Sequence, residues 1–177
     1  MGRKDKTKYS GYEFKSALIA LQNLIKEGDL SRGINECKRL IKKEPLEPMP
    51  QNIYGVVLAN LGNLGEAEIA FKKAVSLDST YDEAWCNLGE LLIVVNKPSE
   101  AVQALLTCVR ISPDSFEYRY QLGRALAKDG KREQAIDAYH NALSLSPRYL
   151  EAHLGISEVL LESGNPREAL KYQKEAV

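Results

Sequence analysis

The chain has 177 residues with 24 Lys plus Arg against 24 Asp plus Glu, so bulk charge argues neither for nucleic acid nor for an acidic partner, and no nucleic-acid partner is expected. Three cysteines without a C-x-x-C pair argue against a disulfide framework and point to a reducing, cytoplasmic compartment. The longest apolar run, Leu91 to Val95, is far too short for membrane insertion.

The basic opening MGRKDKTKYS is followed by no apolar run, so it does not read as a secretory signal. Lys6 stands where a myristoylation motif needs Ser or Thr. Helical periodicity starts only at about Tyr12, and residues 1–13 are expected to be a flexible basic lead-in. Residues 1–47 carry 11 basic and 7 acidic residues, and 48–177 carry 13 and 17, a mild polarity that solvated helix faces explain.

From Phe14 the chain falls into blocks of 34 residues: 14–47, 48–81, 82–115, 116–149 and 150–177, the last truncated. Position 11 of the blocks reads Leu24, Leu58, Leu92, Leu126 and Leu160, and position 24 reads Cys37, Phe71, Leu105, Tyr139 and Gln173. Within a block, positions 4, 7, 8 and 11 share one helical face, as do 20, 24 and 27, so each block predicts two amphipathic helices. Gly28, Gly62, Gly130 and Gly164 recur at position 15, where a left-handed residue closes a helix, and Asn96 takes that place in the third block. Pro98 and Pro166 open second helices. Positions 8 and 20 are small on small, Gly55 with Ala67, Gly89 with Ala101, Gly123 with Ala135 and Ser157 with Ala169, and the first block inverts the pattern with Leu21 against Gly33.

The third block, DEAWCNLGELLIVVNKPSEAVQALLTCVRISPDS, places Trp85, Leu88, Gly89 and Leu92, then Ala101, Leu105 and Cys108, then Pro113 at the spacing of the tetratricopeptide repeat. The chain resembles that family over residues 14–177. The resemblance implies an all-α fold, a right-handed α-solenoid of about five helix–turn–helix repeats, with a concave groove lined by the first helix of each repeat.

Little in the residues suggests chemistry. His153 stands at the position of Trp85 and reads as a packing residue, and His140 as solvated; neither has a partner at metal-ligand spacing. Cys37 and Cys108 read as buried, and Cys86 as the one accessible thiol. Gly62-Asn-Leu-Gly65 lacks the Lys-Ser/Thr of a phosphate loop. No cofactor, metal or catalytic site is assigned, and an enzyme is not expected.

By the resemblance, peptide contacts come from positions 2, 5, 9, 12 and 13. The expected groove residues are Asn52, Val56 and Asn60, then Glu83, Cys86 and Glu90, then Glu117, Tyr120, Arg124 and Lys128, then Glu151, Leu154 and Glu158. A protein or peptide partner with apolar anchors and a basic segment fits that set. The carboxylate clamp of chaperone adaptors is not matched: Leu18, Gln22, Ile53, Glu83 and Asn87 stand at its positions. Two alternatives accompany the interaction-scaffold reading. One is the N-terminal substrate-recognition arm of a larger glycosyltransferase- or sulfotransferase-type enzyme, and the other is self-association through the uncapped last repeat.

Overall fold

The computed structural model describes residues 10–176. Among these residues there are ten α-helices and no strand: α1 Gly11–Lys26, α2 Leu30–Lys43, α3 Pro48–Asn60, α4 Leu64–Leu77, α5 Asp82–Val94, α6 Pro98–Ile111, α7 Phe116–Lys128, α8 Arg132–Leu145, α9 Leu150–Glu162 and α10 Pro166–Glu175. From the third pair on, the first helix of each pair starts 34 residues after the previous one, at Asp82, Phe116 and Leu150 after Pro48. The fold class is all-α, of the solenoid type.

Local chemistry sets the helix ends. Ser10 Oγ accepts from the Glu13 amide at 3.3 Å and the Glu13 carboxylate accepts from the Ser10 amide at 2.8 Å, a reciprocal cap that starts α1 at Gly11. Gly11, Tyr12 and Glu13 of the expected lead-in are therefore helical, while Met1–Tyr9 lie outside the described residues. Asp29 and Ser115 cap α2 and α7 through their side chains. All five residues at position 15 adopt positive φ, and Asn96, at 58°, is the one non-glycine among them. Asparagine tolerates this region better than other side chains, which is why the third hairpin turns like its neighbours.

The helices form two compact units, one ending at Ala84 and the other starting at Trp85. In the first unit, Leu18 and Leu21 of α1, Cys37 and Leu40 of α2, and Ile53 and Val57 of α3 make one apolar cluster, with Phe14, Ile25, Ile34 and Tyr54 against it. Ala20 is exposed, although the period places it with the core. The equivalent Tyr54 packs under Lys38 of the preceding hairpin, and among the described residues no hairpin precedes α1.

The second unit shows most clearly how the helices approach. A Cβ on Gly123 of α7 would lie 2.5 Å from Cε1 of Tyr139, and one on Gly155 of α9 would lie 2.7 Å from Cζ of the same ring. Gly89 faces Leu105 and Gly55, in the first unit, faces Phe71 in the same way, at 2.5 and 2.6 Å. The sequence pairing of positions 8 and 20 is thus incomplete. The position-20 alanines are fully buried, but the space left by the position-8 glycine is filled by the large residue at position 24. Gly33 is likewise not opposed by Leu21: a Cβ there would meet Ile25 at 3.7 Å and Val57 at 4.0 Å, ordinary contact distances.

Two glycine substitutions should therefore have opposite signs. Gly33→Ala is expected to stabilise by about 0.5–1 kcal/mol, the helix-propensity gain at a site with room for a methyl group. Gly123→Ala is expected to destabilise by about 1–3 kcal/mol through overpacking against Tyr139. Thermal melts followed by circular dichroism check both. Equal shifts of the same sign would contradict this account of the packing.

Candidate functional site

The expected groove residues separate into two settings, one in each unit. In the first unit a cavity of about 300 Å³ is lined by Gln22, Ile25 and Lys26 of α1, Asn52, Ile53 and Val56 of α3, and Glu83 in the first turn of α5. Its floor is apolar, and one ammonium and one carboxylate stand among its polar residues. Asn60 is exposed and takes no part in it.

Asn52 corrects its sequence assignment. It is fully buried, and its Nδ2 donates to Tyr81 Oη at 3.1 Å and to Glu83 Oε1 at 3.3 Å. Tyr81 Oη also donates to Glu83 Oε2 at 3.4 Å. Burial, reinforced by the adjacent Glu83 carboxylate, pushes the Tyr81 hydroxyl up to about 12. Tyr81 stays a neutral donor. The polar wall of this cavity is therefore a hydrogen-bonded set in which the buried Asn52 holds the exposed Glu83 in place.

Cys86 is corrected as well. It is 6% exposed, and its Sγ lies 3.5 Å from Glu90 Oε1. A hydrogen bond with Cys108, then burial and the Glu90 carboxylate, raises its pKa, so the thiol stays protonated and packed. Cys37 is fully buried, and burial pushes it up to about 12.

From Cys86 a polar chain crosses to α7. Gln121 Nε2 donates to Glu90 Oε1 at 2.6 Å, and Arg124 Nη1 donates to Gln121 Oε1 at 2.7 Å. Arg124 also stands 5.9 Å from the centroid of the Tyr120 ring, a cation–π arrangement. Tyr120 packs edge-on to Tyr149, with centroids 5.3 Å apart, and is tilted against Tyr139 at 5.7 Å. Burial raises the Tyr120 pKa; Arg124 opposes that rise, while Glu151, Glu158 and Glu90 add to it. These influences place the Tyr120 hydroxyl in the field of three carboxylates.

Beside this chain lies a cavity of about 400 Å³, lined by Ile93 of α5, Arg124, Ala127 and Lys128 of α7, Tyr139 of α8, and Gly155, Glu158, Val159 and Glu162 of α9. It unites three predicted residues, Arg124, Lys128 and Glu158. Glu117, Glu151 and Leu154 lie outside it. Glu117 accepts from Ser115 Oγ at 2.8 Å, and Leu154 is 41% exposed. Gln121 and Tyr139 were not among the expected groove residues. For Gln121 the available signal is its place three residues before Arg124, on the same helical face.

The histidines lie apart from both cavities. His153 is buried and its Nε2 donates to the Pro147 carbonyl at 2.9 Å, a packing role. His140 is exposed, with Nε2 3.0 Å from Tyr172 Oη. Among the described residues, no group of His, Cys, Asp and Glu could hold a metal ion, and no helix is long and apolar enough to cross a membrane.

Comparison with known proteins supplies the context. Two models of the tetratricopeptide repeat match residues 20–82 with 120–177, and residues 82–115. The human protein O-mannosyl-transferase TMTC3 is 30% identical over 71 residues, 40% of this chain but only 8% of that protein. A peroxisomal targeting signal receptor of Candida albicans is 28% identical over 86 residues, 49% of this chain and 14% of the receptor. The chain thus spans a small part of these relatives. Among solved structures, MamA from Desulfovibrio magneticus RS-1 superposes with a TM-score of 0.84 at 23% identity, covering 92% of each chain. YrrB, described as a TPR protein with an unusual peptide-binding site, gives 0.77 at 19% identity over 90% of this chain and 82% of its own. At these identities the two likenesses carry the fold alone.

Two outcomes test the corrected assignments. Asn52→Ala should lower stability by about 0.5–1.5 kcal/mol, because it removes the hydrogen bonds that tie Tyr81 and Glu83 to α3; a melt indistinguishable from the wild type would refute the structural role. The cysteines should resist a thiol reagent in the native chain at about pH 8.5, near the ordinary thiol value, and react fully once the chain is unfolded. Because the Cys37 pKa is raised from 9.0 to about 12, its stabilising contribution is intact below pH 9.0 and is lost as pH rises toward 12. Fast labelling of the native chain would restore the accessible reading of Cys86.

Proposed function

The chain belongs to the tetratricopeptide repeat family and is a protein-interaction scaffold, and from that premise we propose that it holds a peptide segment of a partner protein against its first helices, without catalysis of its own. The observation that carries this reading is the second unit's cavity. There Arg124, Lys128 and Glu158, from two successive first helices, face one open space beside the Tyr120 ring. Interfaces draw most of their energy from a few aromatic and arginine anchors, and Tyr120 with Arg124 is such a pair.

The relatives fit this reading. One is described by its peptide-binding site and another as a receptor for a targeting signal. In the first unit, the apolar floor of Ile25, Ile53 and Val56 suits an aliphatic anchor. In the second, the carboxylates of Glu90, Glu151 and Glu158 around Tyr120 favour basic residues in the ligand. Free, buried thiols agree with a reducing, cytoplasmic setting.

A second reading is favoured by the match to 8% of a human transferase: the repeats would be the N-terminal recognition arm of a larger enzyme. A stop codon directly after Val177 in the source gene would remove it.

The groove reading is tested by affinity capture with the wild type, Tyr120→Ala and Arg124→Glu, each confirmed as folded by circular dichroism. A groove ligand should bind each variant at least about tenfold more weakly, as hot-spot truncations do. A partner retained at wild-type affinity by both variants would place its binding elsewhere.

A further inference from the structure

We infer that the second unit's cavity is built for an extended peptide whose acidic and basic residues alternate; this deepens, and rests on, the peptide-binding reading above. One wall, from α7, carries Arg124 and Lys128, and the other, from α9, carries Glu158 and Glu162. Among the described residues none of these four is in an ion pair. Both walls therefore keep their charge available to a ligand.

The spacing decides the ligand's conformation. On each wall the two charges stand four residues apart on a helix, a rise of about 6.0 Å at 1.5 Å per residue. Along an extended strand successive side chains point to opposite sides, and residues two apart on one side are about 6.6–6.8 Å from each other. A strand lying between the walls with acidic residues at one parity and basic residues at the other meets Arg124 and Lys128 on one side. On its other side it meets Glu158 and Glu162. A peptide of the same composition with its acids in one half and its bases in the other presents a like charge at one or more of these four contacts in every register, which is repulsive.

Two features prepare the site. Gln121 holds the Arg124 guanidinium through one N–H and is itself anchored on Glu90, so the fork is oriented before a ligand arrives. The lining between the charged walls includes the buried Tyr139 ring and Gly155, which offers no side chain of its own.

The test uses the full chain and two labelled hexapeptides of equal composition and zero net charge, Glu-Lys-Glu-Lys-Glu-Lys and Glu-Glu-Glu-Lys-Lys-Lys, in fluorescence anisotropy at low salt. The alternating peptide should bind about tenfold or more tightly than the blocked one, as charge complementarity at several contacts requires. Arg124→Glu with Lys128→Glu makes both walls acidic and should abolish that preference. Adding Glu158→Lys and Glu162→Lys exchanges the walls and should restore it, because an alternating strand can turn its other side. Equal binding of the two peptides, or failure of both to bind, overturns the inference. A preference unchanged by making both walls acidic overturns the assignment to this cavity. Neither failure touches the broader groove reading, which stands or falls with the capture experiment on Tyr120→Ala and Arg124→Glu.

Discussion

The ring of Tyr139 occupies the space that two glycines leave, Gly123 on α7 and Gly155 on α9, where a methyl group on either would overlap it. A mid-helix glycine costs about 0.5–1 kcal/mol relative to alanine, whereas burying a large apolar side chain returns about 1.5–3 kcal/mol. The exchange favours the ring, and it recurs with Leu105 against Gly89 and Phe71 against Gly55. Dense packing leaves no latitude in these contacts, and because Tyr139 touches both α7 and α9 it sets the separation of those two first helices. The same Tyr139 lines the cavity of the second unit. The distance between the cationic and anionic walls is thus set by a core residue.

The period of 34 residues made the fold legible because it is written in residues that packing cannot replace freely. Leu58, Leu92, Leu126 and Leu160 are each buried, and Asn96 turns like the glycines it replaces. What the period does not convey is depth. Asn52, Cys86, Tyr120 and Leu154 share position 5, yet the first is fully buried, the second nearly so, the third half-buried and the fourth 41% exposed. Each outcome depends on partners outside the pattern. Asn52 is held by Tyr81 and Glu83, and Cys86 is short enough to pack beside Cys108. Tyr120 is long enough to reach its aromatic neighbours across the groove face. Spacing assigns a face; the size and hydrogen bonding of individual neighbours decide whether a side chain on it meets solvent.

Gln121 illustrates the same limit from the other direction. Its equivalents are Ile19, Ile53, Asn87 and Gly155, of which only Asn87 carries an amide, so periodicity gives no reason to select it. Its role arises because a primary amide both donates and accepts. It accepts a hydrogen bond from Arg124 while donating one to Glu90, and so joins a cation to an anion through one neutral side chain. The polar chain from Cys86 through Glu90 and Gln121 to Arg124 is therefore a product of one repeat meeting its neighbour.

Function in such an array resides in the positions that the repeat leaves free. At position 9 the second unit reads Glu90, Arg124, Glu158, a change of sign at each successive first helix. Position 13 adds Lys128 beside Arg124 and Glu162 beside Glu158. A zero net charge thus conceals strong local fields of opposite sign, separated by no more than the width of one helix packing against the next. Screening over about 8 Å at physiological salt weakens such fields at a distance while leaving contact pairs largely intact. A partner is consequently not drawn in by bulk attraction. On the peptide-binding reading proposed above, selection occurs at contact, by whether the partner's order of charges matches that of the walls.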